Sequence, residues 1–270
     1  MRPAIGLGYL FARVSDTLAD TAAAPVAVRV ALLERFRDLT LTETAPDAAF
    51  LAAIAADFHP HQTHEGERAL LTSRSLTEAF AALNALLEAE QEAVREVLRE
   101  ILAGQRWDLE FFDGGASVTD DSMVLRYTYQ VAGCVGEFWT RIGEITLGER
   151  FAPAREIDEL RRLGKHYGQG LQLVNLLRDV PEDLANGRDY LPGDRGAWIA
   201  RCRTFLDDGE RYVGNLHGFR VRFATALPYL IARETVSLLE APPATNKKVK
   251  VSRATVRRCL WRAARVGFGG

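Results

Sequence analysis

An all-α fold is predicted for this chain by three observations. Apolar residues recur at helical spacing along almost its whole length, strand-like alternation is sustained nowhere, and turn-forming residues gather at a few discrete breaks. The clearest stripe is Val94, Val97, Leu98, Ile101 and Leu102, the i, i+3, i+4, i+7, i+8 pattern of one buried helix face. Upstream, Ser75 and Glu78 read as a capping box ahead of a second stripe, Ala79, Phe80, Leu83, Leu86 and Leu87.

Taken in order, helices are expected at about 3–22, 25–39, 47–58, 66–72, 76–112 with a break, 118–146, 154–185, 195–216, 221–240 and 252–265. The breaks fall at Thr44-Ala45-Pro46-Asp47, Asp113-Gly114-Gly115 and Asn186-Gly187, where turn chemistry is strongest. Ala241 to Asn246, with Pro242 and Pro243, is the one linker-like stretch. With 270 residues, 47% of them hydrophobic, the chain suits a single helical bundle spanning 1–270.

A formal charge of −2 supplies no global cationic field, so nucleic acid is not the expected partner and anionic ligands need a local basic site. Cys134, Cys202 and Cys259 lie far apart without ligand-like spacing. They suggest neither a disulfide framework nor a cysteine metal site, and a reducing cytoplasm fits. The segment after Arg2 is broken by Arg13 and Asp16 and does not read as a signal peptide. No apolar run approaches the ~20 residues of a membrane span, which leaves peripheral contact with a membrane surface open.

Two acidic rows stand out. Asp16 and Asp20, at i and i+4, place two carboxylates one turn apart on one helix face, with Arg13 a turn earlier on the same side. Asn175, Asp179 and Asp183 repeat every four residues, and Leu173, Val174, Leu176, Leu177 and Val180 between them argue that this helix packs inside a core. Each row alone also fits a solvated acidic face. Together they have a shared explanation in magnesium, which prefers oxygen ligands and commonly binds one or two carboxylates plus substrate phosphates.

Asp16-xxx-Asp20, the stretch Tyr127 to Gly136 (YTYQVAGCVG) and the run Gly170 to Pro192 (GLQLVNLLRDVPEDLANGRDYLP) resemble the three signature blocks of squalene/phytoene synthases, in order and at similar intervals. Lys250-Val251-Ser252-Arg253 is similar to a basic stretch near the C-terminus of squalene synthases. The likeness spans about residues 4–265.

What the resemblance implies is an isoprenoid synthase-type helical bundle around a central cavity, with two aspartate-rich helices facing each other. It assigns Asp16, Asp20, Asn175, Asp179 and Asp183 to magnesium ions, with manganese as an alternative. Arg13, Gln172 and Arg178 are assigned to substrate diphosphate, Lys250 and Arg253 to substrate or NADPH, and Tyr127 to diphosphate departure or proton transfer. The catalytic set is then Tyr127, Asp16, Asp20, Asp179 and Asp183. The implied substrate is an allylic isoprenoid diphosphate, foremost farnesyl diphosphate.

The chemistry gives these residue types a reason. A diphosphate leaves an allylic carbon when divalent ions and guanidinium groups neutralise its developing charge in a dry site. The cation left behind needs an apolar, aromatic-lined pocket. Tyr9, Phe11, Tyr129, Phe138 and Trp139 are candidates for that lining or for ordinary core packing. Gly133 and Gly136, costly inside a helix, imply close approach of a substrate tail or a neighbouring helix.

Some features depart from the family pattern. Its upstream helix with a Ser-x-Ser-Phe-like element is expected to lie outside these residues, so the native chain starts further upstream or one wall of the diphosphate pocket is built differently. Ala19 stands where some relatives carry glutamate, and Pro181 implies a kink or helix end near Asp183.

Other motifs are set aside. His59, His61 and His64 lack the spacing of a helical zinc pair, and Gly6-Leu7-Gly8 lacks the third glycine and the strand of a dinucleotide fingerprint. Lys247, Lys248, Lys250, Arg257, Arg258, Arg262 and Arg265 make the C-terminal end basic. Phosphate capture, attraction to anionic lipid and a solvated basic helix all fit.

The expected activity is condensation of two farnesyl diphosphates through presqualene diphosphate to squalene, with reduction by NADPH. The alternatives are a phytoene or dehydrosqualene synthase, which omits the reduction, and a non-catalytic scaffold of the same fold. A chain-elongating prenyltransferase is disfavoured because the sequence lacks that family's DDxxD pattern.

Overall fold

The computed structural model describes residues 1–42, 45–153, 156–240 and 249–268. Thr44, the linker-like stretch 241–246, and Lys247 and Lys248 lie outside the described residues, as do positions 154 and 155. Among the described residues the regular structure is helical, with one isolated bridge between Ser117 and Asp189. Their contacts divide them into two compact units, Met1–Gly114 and Gly115–Gly270.

The first unit holds α1 (Arg2–Asp20), α2 (Val26–Leu41), α3 (Ala48–Ala53), α4 (Glu65–Leu70), α5 (Ser73–Asn84) and α6 (Glu88–Asp113). α3 runs on through a π turn at Ile54–Phe58 into a short 3-10 turn at His59–His61. Phe11, Phe36, Phe50 and Phe80 form its aromatic centre; Phe11 meets Phe80 edge to face with ring centroids 5.1 Å apart. The α6 stripe Val94, Val97, Leu98, Ile101 and Leu102 is buried, as its spacing implies. At the end of α1, the buried Arg29 donates to the Ala19 carbonyl at 2.7 Å, a cation where the helix leaves acceptors unpaired.

Two local expectations are corrected. α5 starts before Ser75: Thr72 is its cap, accepting from the Ser75 amide at 3.2 Å, while the Ser75 hydroxyl donates to the Ala69 carbonyl at 2.8 Å. Glu78 instead pairs with Arg74. The second stripe is buried at Ala79, Phe80 and Leu83, but Leu87 is exposed, because the break between α5 and α6 turns it outward as the residue preceding α6.

The second unit holds α7 (Asp121–Thr128), α8 (Cys134–Leu147), α9 (Ile157–Ala185), α10 (Arg195–Asn215), α11 (Phe219–Leu239) and α12 (Arg253–Phe268). A π turn at Tyr129–Gly133 joins α7 to α8 inside the expected 118–146 helix. The buried Gln169 side chain on α9 donates to the Leu125 carbonyl at 2.9 Å just ahead of that turn. α9 is the axis of this unit, with Leu163, Leu173, Val174, Leu176 and Leu177 buried against its neighbours. The helix passes through Pro181 and ends at Ala185, two residues beyond Asp183. No helix among the described residues is long and apolar enough to cross a membrane.

Glycine permits a close helix–helix contact in the second unit. A methyl group on Gly136 would fall onto the Gly164 carbonyl oxygen, and one on Gly168 onto the Ala132 carbonyl oxygen. The small residues of the 132–136 stretch thus let the π turn and α8 lie directly against α9, and the close neighbour of Gly136 is a helix.

Candidate active site

The first acidic row sits on α1. Arg13 Nη1 donates to Asp16 Oδ2 at 3.2 Å, and its Nη2 lies 3.6 Å from Glu67 Oε1. Gln105 on α6 donates to Asp16 Oδ1 at 2.6 Å. Burial pushes the Asp16 carboxyl above the usual carboxylate range and repulsion from Asp20 adds to the rise, more than Arg13 and Gln105 reverse. Asp20 is exposed at the end of the helix. This pair of hard oxygen donors on one helix face has a chemistry that suits a divalent cation.

The second row sits on α9. Arg178 grips Asp179 through both carboxylate oxygens, Nε at 2.8 Å and Nη2 at 2.7 Å. Asn175 donates to Gln172 Oε1 at 3.3 Å. Asp183 lines a small cavity of about 100 Å³ with Arg188, Asp189, Tyr190 and Arg195. Among the described residues no three His, Cys, Asp or Glu side chains are grouped to hold a metal by themselves, and that applies equally to His59, His61 and His64. The oxygen donors of each row are of the kind that magnesium takes when substrate phosphates supply the remaining ligands.

Tyr127, in the last turn of α7, stacks on Tyr190 with ring centroids 5.2 Å apart and planes 19° from parallel. The turn after α9 brings Tyr190 there: Val118 donates to the Asp189 carbonyl at 2.9 Å, and Trp198 Nε1 holds the Pro192 carbonyl at 2.7 Å. Tyr127 thus abuts the residue that shares a cavity wall with Asp183.

A larger cavity, about 340 Å³, lies in the same unit between α8, α9, α10 and α11, with Val131, Val135, Trp139, Gly168, Leu171 and Pro228 in its lining. Its tyrosine hydroxyls are already occupied: Tyr167 donates to the Thr225 carbonyl at 2.8 Å, and Tyr212 and Thr140 share a hydrogen bond of 2.6 Å. The wall is consequently apolar in character. Trp139 lines this space, but Tyr9 is exposed and Phe11 belongs to the core of the first unit. Phe138 is buried, and Tyr129 donates to Glu137 Oε2 at 3.1 Å under the Lys165 ammonium.

One face of α9 joins these features. Gly168, Leu171, Asn175, Asp179 and Asp183 are spaced by three or four residues, with Gln172 beside them, so the cavity lining and the acidic row share a helix face. The model for squalene/phytoene synthases matches residues 1–197, which takes in both rows and Tyr127. The chain belongs to the squalene/phytoene synthase family.

Among the relatives of this family member, the 15-cis-phytoene synthase of Paracoccus sp. is 31% identical over 197 residues, 70% of this chain and 51% of that protein. The presqualene diphosphate synthase of Rhodopseudomonas palustris is 28% identical over 186 residues, 69% of this chain and 51% of that protein. The alignments thus take in about half the length of each of these two relatives. The solved structure of TcSQS with the ligand BPH1237 superposes with a TM-score of 0.76 at 21% identity, covering 98% of this chain and 79% of that one. That likeness establishes the isoprenoid synthase-type helical fold.

The family match stops short of Lys250 and Arg253. Both are exposed at the start of α12, and among the described residues no hydrogen bond or ion pair links them to the acidic row of α9. Two neighbours of the rows escaped the sequence reading, Gln105 and Tyr190. Gln105 had a signal: with the buried Asp108 it continues the apolar α6 stripe in polar form. Tyr190 stood inside the run from Gly170 to Pro192 as the aromatic residue following a turn.

Proposed function

We propose that the chain is a magnesium-dependent prenyltransferase that joins two allylic isoprenoid diphosphates head to head. The observation that carries this reading is the α9 face, where Gly168 and Leu171 line an apolar cavity and Asn175, Asp179 and Asp183 follow over the next turns. From Leu171 to Asp179 the helix rises about 12 Å. A ligand with an anionic head and a long apolar tail matches both halves of that face, and a prenyl diphosphate is such a ligand. Membership of the family supports the same reading.

In this reading Asp16, Asp20, Asn175, Asp179 and Asp183 hold magnesium, which when bound supplies charge neutralisation to the departing diphosphate. Arg13, Gln172 and Arg178 bind diphosphate oxygens; Arg178 exchanges part of its grip on Asp179 for the substrate. Tyr127 moves a proton or assists departure, its ring held in place by Tyr190. The apolar wall around Trp139 and Leu171 excludes water from the cation.

Farnesyl diphosphate is the proposed substrate and presqualene diphosphate the proposed intermediate, with reduction to squalene by NADPH at Lys250 and Arg253. A second reading omits the reduction; similarity to the Paracoccus phytoene synthase favours it. Incubating the protein with farnesyl or geranylgeranyl diphosphate, with magnesium or a chelator and with or without NADPH, then identifying the product, tests both. A hydrocarbon whose yield follows NADPH supports the first reading, and one indifferent to NADPH the second. Failure to consume either diphosphate with magnesium present would leave a scaffold of the same fold.

A further inference from the structure

α12 lies against α11 through Cys259, Ala263 and Gly267, all buried. Its opposite face carries Trp261 and Phe268, 76% and 77% exposed, with Leu260 also exposed. Single exposed apolar residues are ordinary on a protein surface. Here Trp261 and Phe268 share one face of one helix, and Phe268 extends the patch onto the exposed Phe219 of α11, ring centroids 4.5 Å apart.

The charges around this ridge have one sign. Residues 249–268 contain no aspartate or glutamate. At 100° per residue, Arg257 falls on one side of the Trp261–Phe268 ridge and Arg265 on the other. Both are exposed, and among the described residues neither has a carboxylate partner. Arg258 and Arg262 are turned to Glu234 at 3.2 and 3.5 Å and belong to the α11 side of the helix. A bulky apolar ridge flanked by free arginines is the form of a helix that lies in a membrane interface, its aromatics among the acyl chains and its guanidinium groups at anionic headgroups.

We infer that the Trp261–Phe268 face of α12, with Arg257 and Arg265, docks the protein on an anionic lipid bilayer. The inference does not depend on the proposed enzymatic activity, since docking is measured without substrate. The cavity-lining Ala224, Thr225 and Pro228 lie on the side of α11 away from Phe219, so the docked face is separate from the cavity wall.

Vesicle flotation of the full chain tests the inference, using phosphatidylcholine alone and phosphatidylcholine mixed with phosphatidylglycerol. The protein should float with the mixed vesicles and much less with the neutral ones, and high salt should weaken the difference. Arg257→Glu with Arg265→Glu should lower partitioning at least ~25-fold, about fivefold for each arginine removed. Trp261→Ser with Phe268→Ser should abolish flotation, while Arg257→Lys with Arg265→Lys should retain it. All these positions are exposed, so circular dichroism and the thermal midpoint should stay unchanged and separate docking from folding. Brominated lipid should quench Trp261 fluorescence, and Trp261→Phe should remove that quenching although Trp107, Trp139 and Trp198 remain. Wild-type protein that stays off the mixed vesicles, or variants that float equally well, would overturn the inference. So would a dimer in solution that Trp261→Ser dissociates, because the face would then belong to a second copy of the chain.

Discussion

Gln105 on α6 donates its side-chain amide to Asp16 on α1 across 2.6 Å, fixing the carboxylate that opens the first acidic row. The bond orients Asp16 without neutralising it, and its carboxyl stays above the usual range because of burial and Asp20. A raised carboxyl pKa means that the folded state prefers the protonated form, so stability is lost as pH rises through that raised value. Asp16→Asn should therefore raise the thermal midpoint of metal-free protein at neutral pH, and the gain should vanish as pH falls below the carboxylate range. Under the proposed function the same change should nearly abolish turnover and remove the stabilisation that magnesium gives with a diphosphate. Thermal scans at several pH values, in chelator and with magnesium diphosphate, check both halves.

Arg178 holds both oxygens of Asp179, whereas Arg13 reaches Asp16 through one nitrogen. Asp179→Asn keeps the size and one acceptor oxygen but removes the charge proposed to hold magnesium. Diphosphate release should slow, and added magnesium should restore it only in part. Arg178→Lys should raise KM more than it changes the metal requirement, because a point charge replaces a two-pronged grip. Diphosphate release measured across a magnesium titration separates the two variants.

The α8–α9 contact gives a stability test independent of any chemistry. Gly136→Ala places a methyl group on the Gly164 carbonyl oxygen and should cost about 1–3 kcal/mol or more, as overpacked cores do. Gly6 sits on the exposed side of α1 with open space around it, so Gly6→Ala should instead stabilise by about 0.5–1 kcal/mol. Urea unfolding of the two variants should give opposite signs.

Lys250 and Arg253 carry the NADPH part of the proposal. Lys250→Ala with Arg253→Ala should leave presqualene diphosphate to accumulate while squalene falls, because the first half-reaction needs no hydride. Equal loss of both products would place the two residues on diphosphate. Product ratios after incubation with farnesyl diphosphate and NADPH decide it.

The helices were legible because the signals that make them are local. The Val94 to Leu102 stripe is buried as its spacing implies, and both acidic rows were found because i and i+4 share a face on any helix. The start of α5 was misread since Thr72 and Ser75 are both good caps, and the choice falls to the Ala69 carbonyl, which takes the Ser75 hydroxyl. Gln105 and Asp16 are 89 positions apart, and no periodicity within one helix joins them. Tyr190 meets Tyr127 only because the turn after α9 folds back, and α12 shows its ridge only once Cys259, Ala263 and Gly267 are known to face α11.

Tyr127 is where proton transfer and metal binding can be told apart. Its ring stacks on Tyr190, which is itself nearly buried, so Tyr127→Phe removes the hydroxyl and keeps the packing. Turnover should drop about 10²–10⁴-fold, the usual loss for a missing general acid or base, while the magnesium dependence keeps its midpoint. Tyr190→Phe preserves the stack and should have little effect on turnover. Tyr190→Ala removes the platform and should lower turnover through a misplaced Tyr127, with a smaller loss than Tyr127→Phe itself. A Tyr127→Phe variant with normal turnover, together with an Asp179→Asn variant of unchanged magnesium dependence, would mean that the chain keeps the family's fold without the chemistry assigned to these residues.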